Sequence, residues 1–278
     1  MSTGSWSPTW SGTANAREHR AIDKALSRLE PVTFAWDWQA LDPHLVGVLR
    51  TTWRERMRVE HRSSAVFGQL ALQLIEAGAH LDEQVVMMRM AQDELRHTAT
   101  CAEIVRALGG DLAIDHDLTV APLATHRGAS LVERALRNVI YTTCLSEMVA
   151  CARFVATLET TTDPMMRAAL TRLLSDEALH GRFGFHYLEA RADLLRADAA
   201  LRDSLSRYLM HAFAVIEPEL APAPPFRPLS DDERAFGLED PELARDLFYA
   251  TMREAVIPGL ERFGLAAEHA FATRRRLA

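Results

Sequence analysis

The sequence lacks the features that mark several common binding folds. Its three cysteines form no Cys-x-x-Cys pair and no even set, so they predict neither a disulfide framework nor a thiolate metal site. No GxGxxG sequence and no P-loop occurs, which removes the standard signatures of dinucleotide and nucleotide binding. Strand signals are almost absent, with no hairpin dipeptide between alternating runs. The chemistry must therefore be carried by side chains on helices.

Net charge and hydropathy limit the classes of partner that this protein can bind. No apolar run approaches the roughly 20 residues that span a bilayer, and the N-terminus lacks the apolar core of a signal peptide. The formal net charge is −7, whereas binding to nucleic acid phosphates needs a basic face. We therefore expect a cytoplasmic protein with reduced thiols that binds neither nucleic acid nor a membrane.

Helix signals recur along the chain and predict an all-α fold. Asp-Pro pairs at Asp42 and Asp163 predict helix starts, and Gly78 and Gly109 predict helix ends. Ser130 begins a predicted capping box. The predicted helices span about 43–77, 82–108, 130–159, 163–195 and 199–216. The segment 111–127 is long enough to connect opposite ends of an antiparallel bundle.

We divide the chain into three parts. Residues 1–41 are an N-terminal extension with one helix at about 14–29, and residues 42–216 form the helical bundle. Residues 217–278 form a C-terminal helical extension, with two shorter helices starting near Pro241 and Pro258. This extension has the length to form a lid over a substrate site.

The strongest signal is a repeated sequence, Asp-Glu-x-x-His, at 93–97 and again at 176–180. Glu and His at positions i and i+3 share one face of a helix, about 4.5 Å apart along the axis, so they can bind one metal ion together. A single copy would be weak evidence. Two copies at similar depths in two long helices predict a pair of ions.

Each copy has a candidate third ligand on the preceding helix. Glu60 lies 34 residues before Glu94, and Glu147 lies 30 residues before Glu177. Both pairs are nearly equidistant from the turn between their helices, so their members meet at one height in an antiparallel pair. One Glu from each of two helices and Glu-x-x-His from the other two is the four-helix di-metal plan, with four negative charges to balance two divalent ions. The predicted ligands are Glu60, Glu94, His97, Glu147, Glu177 and His180.

The aspartates of the repeat predict hydrogen bonds to the metal-binding histidines. A metal-bound histidine usually donates its other N–H to a carboxylate. Asp93 is placed to reach His180, and Asp176 is placed to reach His97.

Residues about one helical turn from the ligands predict a substrate pocket. For Cys101 and Cys151, a small core residue is an equally good interpretation. At Gly184, close helix packing explains the glycine as well as room for a substrate does. The predicted pocket residues are Ser64, Phe67, Cys101, Thr143, Cys151, Leu173 and Gly184.

The six predicted ligands resemble those of the ferritin-like di-iron superfamily, over about residues 43–216. The resemblance implies a ferritin-like four-helix bundle with a long crossover connection and extra N- and C-terminal helices. It implies two iron ions, with Mn or mixed Fe/Mn as the alternative. Cys101 stands where reductase small subunits carry a radical Tyr, and Leu173 stands where arylamine N-oxygenases carry an extra His. The Cys-x-x-Cys pairs of rubrerythrins are missing.

The resemblance also implies a function. We expect a non-haem di-iron oxidase or oxygenase that activates dioxygen to hydroxylate, desaturate or N-oxygenate a small organic substrate. Electrons would come from a separate ferredoxin or flavin reductase, and a homodimer is compatible with the sequence. The alternatives are ferritin-like or rubrerythrin-like iron handling or peroxide removal, and a structural protein with a non-redox metal pair. The helices outside the bundle argue against simple iron storage.

Overall fold

The structure, a computed structural model, describes residues 4–6, 34–116 and 120–274. Within these residues the only strands are β1 (Gly4–Trp6) and β2 (Ile114–His116), which pair antiparallel over three residues. All other regular structure is helical, which confirms the predicted fold class. The helix predicted at 14–29 lies outside the described residues.

Four long helices form the bundle, and their ends follow the predicted signals. Asp42 and Asp163 each cap a helix by accepting backbone N–H bonds, with proline at the first helical position. Gly78 and Gly109 adopt φ of +68° and +70°, a conformation that favours glycine at a helix end. The bundle helices are α1 (Pro43–Glu76), α2 (Leu81–Ala107), α3 (Leu131–Thr160) and α4 (Pro164–Glu189).

Helix α3 departs from a regular α-helix in its centre. Residues Ile140–Glu147 form a π-helical segment, between α-helical segments Leu131–Val139 and Met148–Thr160. The Ser130 hydroxyl accepts from the Glu133 N–H, but the Glu133 carboxylate binds Arg137 and Ser204, so the predicted capping box is half formed. π segments inside α-helices frequently occur at functional sites.

The same helix corrects the expectation about apolar runs. Leu131–Thr160 is long and apolar enough to cross a membrane by length and composition, with a mean hydropathy of 1.4. Half of the most apolar 18-residue stretch of this helix is buried inside the protein. A bundle helix that packs on several sides is apolar around most of its surface, which accounts for this composition.

The segments after α4 differ from the prediction in two places. The predicted helix to residue 195 ends instead at Glu189, where the Arg191 guanidinium turns back onto the Tyr187 carbonyl and the Glu83 carboxylate. The short helix α5 (Ala192–Ala197) follows. The next helix, α6 (Ala199–Leu220), continues past residue 216, so the predicted division between 216 and 217 falls inside a helix.

The described part of the C-terminal extension contains the end of α6 and three further helices, and it packs into the main core. Its helices are α7 (Asp231–Ala235), α8 (241–261, with a π segment at Met252–Val256) and α9 (Ala267–Thr273). Phe248, Met252 and Leu260 of α8 are fully buried in the same apolar cluster as the bundle helices. The helix predicted to start near Pro258 is present as the α-helical segment Ile257–Glu261, which continues α8 after the π segment and has Pro258 in its first turn, a position that tolerates proline.

Two apolar clusters fill the interior of the bundle. One includes Phe67, Leu70 and Met87, and the other includes Trp53 and Met57. On α1, Glu60 lies between these clusters. The polar centre of the bundle is therefore enclosed above and below by packed side chains.

Candidate metal centre

The bundle brings all six predicted ligands together at mid-height. Each bundle helix contributes, and the Glu147 carboxylate comes from the last residue of the π segment in α3. His180 is 0% exposed and Glu60 is 7% exposed, while the Glu147 side chain is 12% exposed. Buried carboxylates and imidazoles in one cluster carry a large desolvation cost unless a counter-charge stabilises them.

On one side of the cluster, His97 faces three carboxylates. Its Nδ1 atom lies 3.6 Å from Glu60 Oε2, 3.3 Å from Glu177 Oε1 and 3.9 Å from Glu94 Oε2. Three oxygens and one imidazole nitrogen therefore converge on one point.

On the other side, His180 repeats the arrangement. Its Nδ1 atom lies 3.1 Å from Glu94 Oε1, 3.3 Å from Glu177 Oε2 and 3.8 Å from Glu147 Oε2. Glu94 and Glu177 thus present one oxygen to each imidazole, whereas Glu60 and Glu147 each serve one side. Two shared carboxylates between two separate ones are the arrangement expected for two bridged ions.

The aspartates of the repeat lie where the sequence places them. His180 Nε2 lies 3.4 Å from Asp93 Oδ2, and His97 Nε2 lies 3.4 Å from Asp176 Oδ2. Both separations are slightly longer than a normal hydrogen bond of about 2.7–3.2 Å. In each histidine, Nδ1 faces the cluster centre and Nε2 faces an aspartate, so the carboxylate can fix the tautomer that leaves Nδ1 free for a metal.

Sequence reasoning missed the residue that connects these aspartates. Arg96 is 5% exposed, and its Nη2 atom contacts Asp93 and also lies 3.1 Å from Asp176 Oδ2. Arg89 approaches Asp93 from the surface side at 3.6 Å. The available signal was the spacing of three between Asp93 and Arg96, which places both side chains on one helix face.

Burial and mutual repulsion hold protons in the metal-free cluster. Burial raises the pKa of Glu94 to about 8, opposed by its contact with the His180 imidazole and reinforced by the charges of Glu177 and Glu60. Burial also raises the pKa of Glu147 well above its ordinary value. Burial works in the same direction on Glu177, but contacts with both imidazoles hold the pKa of Glu177 well below its usual range. Divalent cations would replace these protons.

The donor set fits two metal ions. The Nδ1 atoms of His97 and His180, which face the cluster centre, and Glu177 Oε2 are buried without a hydrogen-bond partner among the described residues. Such orphaned buried atoms require an explanation, and a metal ion provides one. Two subsets have ligand atoms within 4.8 Å of one another: Glu60, Glu94, His97 and Glu177, and Glu147, Glu177 and His180. Carboxylate oxygens with imidazole nitrogens suit iron and manganese.

A cavity of about 400 Å³ opens beside the cluster. Glu60, Glu94, Glu147 and Glu177 reach its inner end, and Glu55, an exposed residue, lies at its outer end. The remaining walls come mainly from α1 and α3: Thr52, Arg56, Val59, Ser63, Ser146, Ala150, Arg153, Phe154 and Thr157.

The C-terminal extension and α6 complete the cavity wall. Leu220 and Glu239 line it, and the Glu239 carboxylate forms an ion pair with the Arg153 guanidinium of α3. The residues before α8 therefore close one side of the cavity.

None of the seven predicted pocket residues lines this cavity. Positions i+3 and i+4 diverge by about 100° around a helix, and the cavity lies on the i+3 side of Glu60 and Glu147. Ser63 and Ala150 therefore line it, whereas Ser64 and Cys151 point elsewhere.

The predicted pocket residues have other contacts. Phe67 packs 5.3 Å from the His180 ring, and the Cys151 thiol donates to the Glu177 carbonyl at 2.9 Å. A methyl group at Gly184 would overlap the Thr143 hydroxyl, so this glycine serves close packing. The other three are Ser64, which donates to the His61 carbonyl, and Cys101 and Leu173, which are fully buried in the core.

Comparisons with known proteins support the fold. No protein-family model matches the chain, and no curated protein sequence matches it. A solved structure is similar: "Protein 19 with aldehyde deformylating oxidase activity from Synechococcus", with a TM-score of 0.54. The sequences are 16% identical, and the match covers 87% of this chain and all of that one. At that identity the similarity concerns the fold alone.

Proposed function

We propose that this protein is a non-haem di-iron oxidase or oxygenase that uses dioxygen to oxidise a small organic substrate. The observation that carries the proposal is the position of the two Nδ1 atoms, each facing three carboxylates, of which Glu94 and Glu177 are shared. The similar fold of a protein described by aldehyde deformylating oxidase activity supports the same class of chemistry.

Each residue of the site has a defined task in this proposal. His97 and Glu60 would hold one ion, His180 and Glu147 would hold the other, and Glu94 and Glu177 would bridge them. Bound iron would supply the redox chemistry with dioxygen that no protein side chain offers. The aspartates hold the imidazoles in the required tautomer, and the cavity walls exclude bulk water from the reacting end.

Electrons for turnover would come from a separate ferredoxin or flavin reductase, since the sequence has no nucleotide-binding signature. We expect hydroxylation, desaturation or N-oxygenation of the substrate. Iron handling or peroxide removal is the second candidate. The cavity disfavours it, because a storage site does not need a pocket of about 400 Å³ whose wall includes Leu220 and Glu239.

Anaerobic Fe(II) titration tests the metal site. The wild type should bind two ions per chain, and Glu94→Ala or His180→Ala should lose most of this binding because each removes a ligand. Glu159→Ala, at an exposed position on α3, is the control and should bind as the wild type does. Full occupancy in Glu94→Ala would show that the ligand assignment is wrong.

Dioxygen consumption separates the candidate functions. The Fe(II) protein should consume dioxygen, and the Mn(II) protein should not. Uptake followed by release of ferric iron from the site would favour iron handling, whereas retention of both ions through repeated reduction and oxidation supports an oxidase.

A further inference from the structure

The wall of the cavity contains a cation that has no anionic counterpart. Among the described residues, no carboxylate or carbonyl oxygen accepts a hydrogen bond from Arg56, and its Nη1 atom is buried without a partner. An arginine offers five N–H donors in a rigid fork, and leaving buried donors unfilled is costly. A feature of this kind in a cavity wall calls for a ligand.

Aromatic rings hold the guanidinium in place. The Arg56 Cζ atom lies 4.6 Å from the centre of the Phe154 ring and 5.2 Å from that of the Trp53 ring. Both rings are buried, and Phe154 also lines the cavity. Cation–π contacts stabilise the charge and orient the group, but they leave its N–H donors available.

The other charges of the wall are already paired. Arg153, the second cation, forms an ion pair with Glu239, and the Glu55 carboxylate forms one with Arg58. Two divalent ions would neutralise the four glutamates at the inner end. With metal bound, Arg56 is therefore the charged residue of this wall that lacks an ionic partner, which favours an anionic ligand beside it.

We propose that Arg56 binds the carboxylate of the substrate, so that the protein acts on small organic acids. This inference rests on the proposed function, because the position of Arg56 relative to Glu60 sets what is oxidised. Four residues on a helix rise about 6 Å, so a carboxylate at Arg56 places the rest of a small acid beside the metal ligands. An arginine fork matches a carboxylate bidentately, which sets orientation as well as affinity.

Equilibrium binding of benzoate tests the proposal, with benzamide as its uncharged isostere. Anaerobic Fe(II) protein should bind benzoate more tightly than benzamide. Arg56→Met keeps an unbranched apolar stem against the rings, and it should weaken benzoate binding about 10- to 100-fold while leaving benzamide unchanged. Arg56→Lys keeps the charge but not the forked guanidinium, so its benzoate affinity should lie between those of the wild type and Arg56→Met.

Arg62→Met is the matched control. Arg62 is an exposed residue of the same helix and does not line the cavity. Its replacement changes the net charge of the protein by the same amount as Arg56→Met. It should leave benzoate affinity unchanged. Thermal unfolding and iron content, measured on each variant, verify that the fold and the metal site persist.

The outcomes separate this inference from the proposed function. If wild type and Arg56→Met bind benzoate equally well and each holds two ions, the inference about Arg56 is wrong, because benzoate then binds the metal ions or another site. The proposed di-iron function would be unaffected by that result. Failure of iron-loaded wild type to bind benzoate also overturns the inference about Arg56. Arg56-dependent benzoate binding in a protein that holds no iron would keep the anion site and refute the di-iron function.

Discussion

The two copies of the Asp-Glu-x-x-His repeat supply equivalent ligands, yet they are stabilised differently. The first copy has Arg96 before its histidine, and the second has Leu179 at the same place. Arg96 contacts Asp93 of its own helix and Asp176 of the other. One guanidinium therefore contacts the aspartates of both copies. The repeat looks two-fold symmetric in its ligands, but both aspartates depend on a single arginine that only the first copy contains.

The helices around the two copies differ as well. Helices α1 and α2 are regular, whereas α3 contains the π segment and α4 has Gly184 packed against it. The two glutamates of the repeat also differ, since the pKa of Glu94 is raised and that of Glu177 is lowered. Four experiments test how much these differences matter.

Replacing Arg96 should have the largest effect. Arg96→Met leaves two buried aspartates without their common cation, and removing one member of a buried charge cluster costs about 3–5 kcal/mol. Urea denaturation of the metal-free protein measures the free energy of unfolding. Leu179→Met, at the matched position of the second copy, should cost less than about 1.5 kcal/mol. Similar losses in both variants would contradict the proposed role of Arg96.

Replacing either aspartate of the repeat should weaken metal binding, and Asp93 should have the larger effect. Asp93→Asn and Asp176→Asn should each weaken Fe(II) binding by up to about 100-fold, because the charge that supports each imidazole is lost. Asp93 should be the more sensitive, since it is fully buried and contacts His180, Arg96 and Arg89, whereas Asp176 is 9% exposed. Competition titrations with a chelator measure both affinities. Two silent variants would mean that the aspartates do not support the histidines.

Packing against the π segment should tolerate no side chain at Gly184. An added methyl group would overlap the Thr143 hydroxyl and the Cys144 sulfur and would lie 3.1 Å from the Cys144 nitrogen. We expect Gly184→Ala to lower stability by about 1–2 kcal/mol in thermal or urea unfolding. Gly68→Ala, on α1 with open space around it, should be neutral or stabilising. Equal stabilisation by both would show that α4 can move away from α3.

The different protonation of the two glutamates should appear as a pH effect. Burial raises the pKa of Glu94 to about 8, so this carboxyl is protonated at pH 7, whereas Glu177 is ionised. A metal must displace that proton and the one that burial retains on Glu147, so affinity for Mn(II) should rise at least tenfold per pH unit up to about pH 8. Calorimetry in buffers of different ionisation enthalpy counts the released protons. Binding at pH 7 without proton release would contradict this protonation state.

The cluster could be predicted from the sequence because its parts follow helix geometry. The repeated Asp-Glu-x-x-His, and the distances of Glu60 and Glu147 from the turns, are enough to place eight side chains at one height. Arg96 was missed because its second contact, with Asp176, joins residues 80 positions apart.

The cavity could not be predicted from the same geometry. Spacing along a helix places Ser63 and Ser64 on either side of Glu60 but does not say which side a neighbouring helix will fill. Arg56 is conspicuous only after its contacts are known, because an arginine on a long helix usually faces solvent or an acidic neighbour.

The π segment has a consequence for transplanting this site into another scaffold. An idealised bundle has 3.6 residues per turn throughout, whereas the segment Ile140–Glu147 advances by i to i+5 bonds and so turns less per residue. A graft that copies the six ligand positions onto straight helices would aim the residue equivalent to Glu147 away from the other five. The minimal transferable unit is therefore larger than the ligand list: it includes a local irregularity in one helix and the glycine on its neighbour that makes room for it.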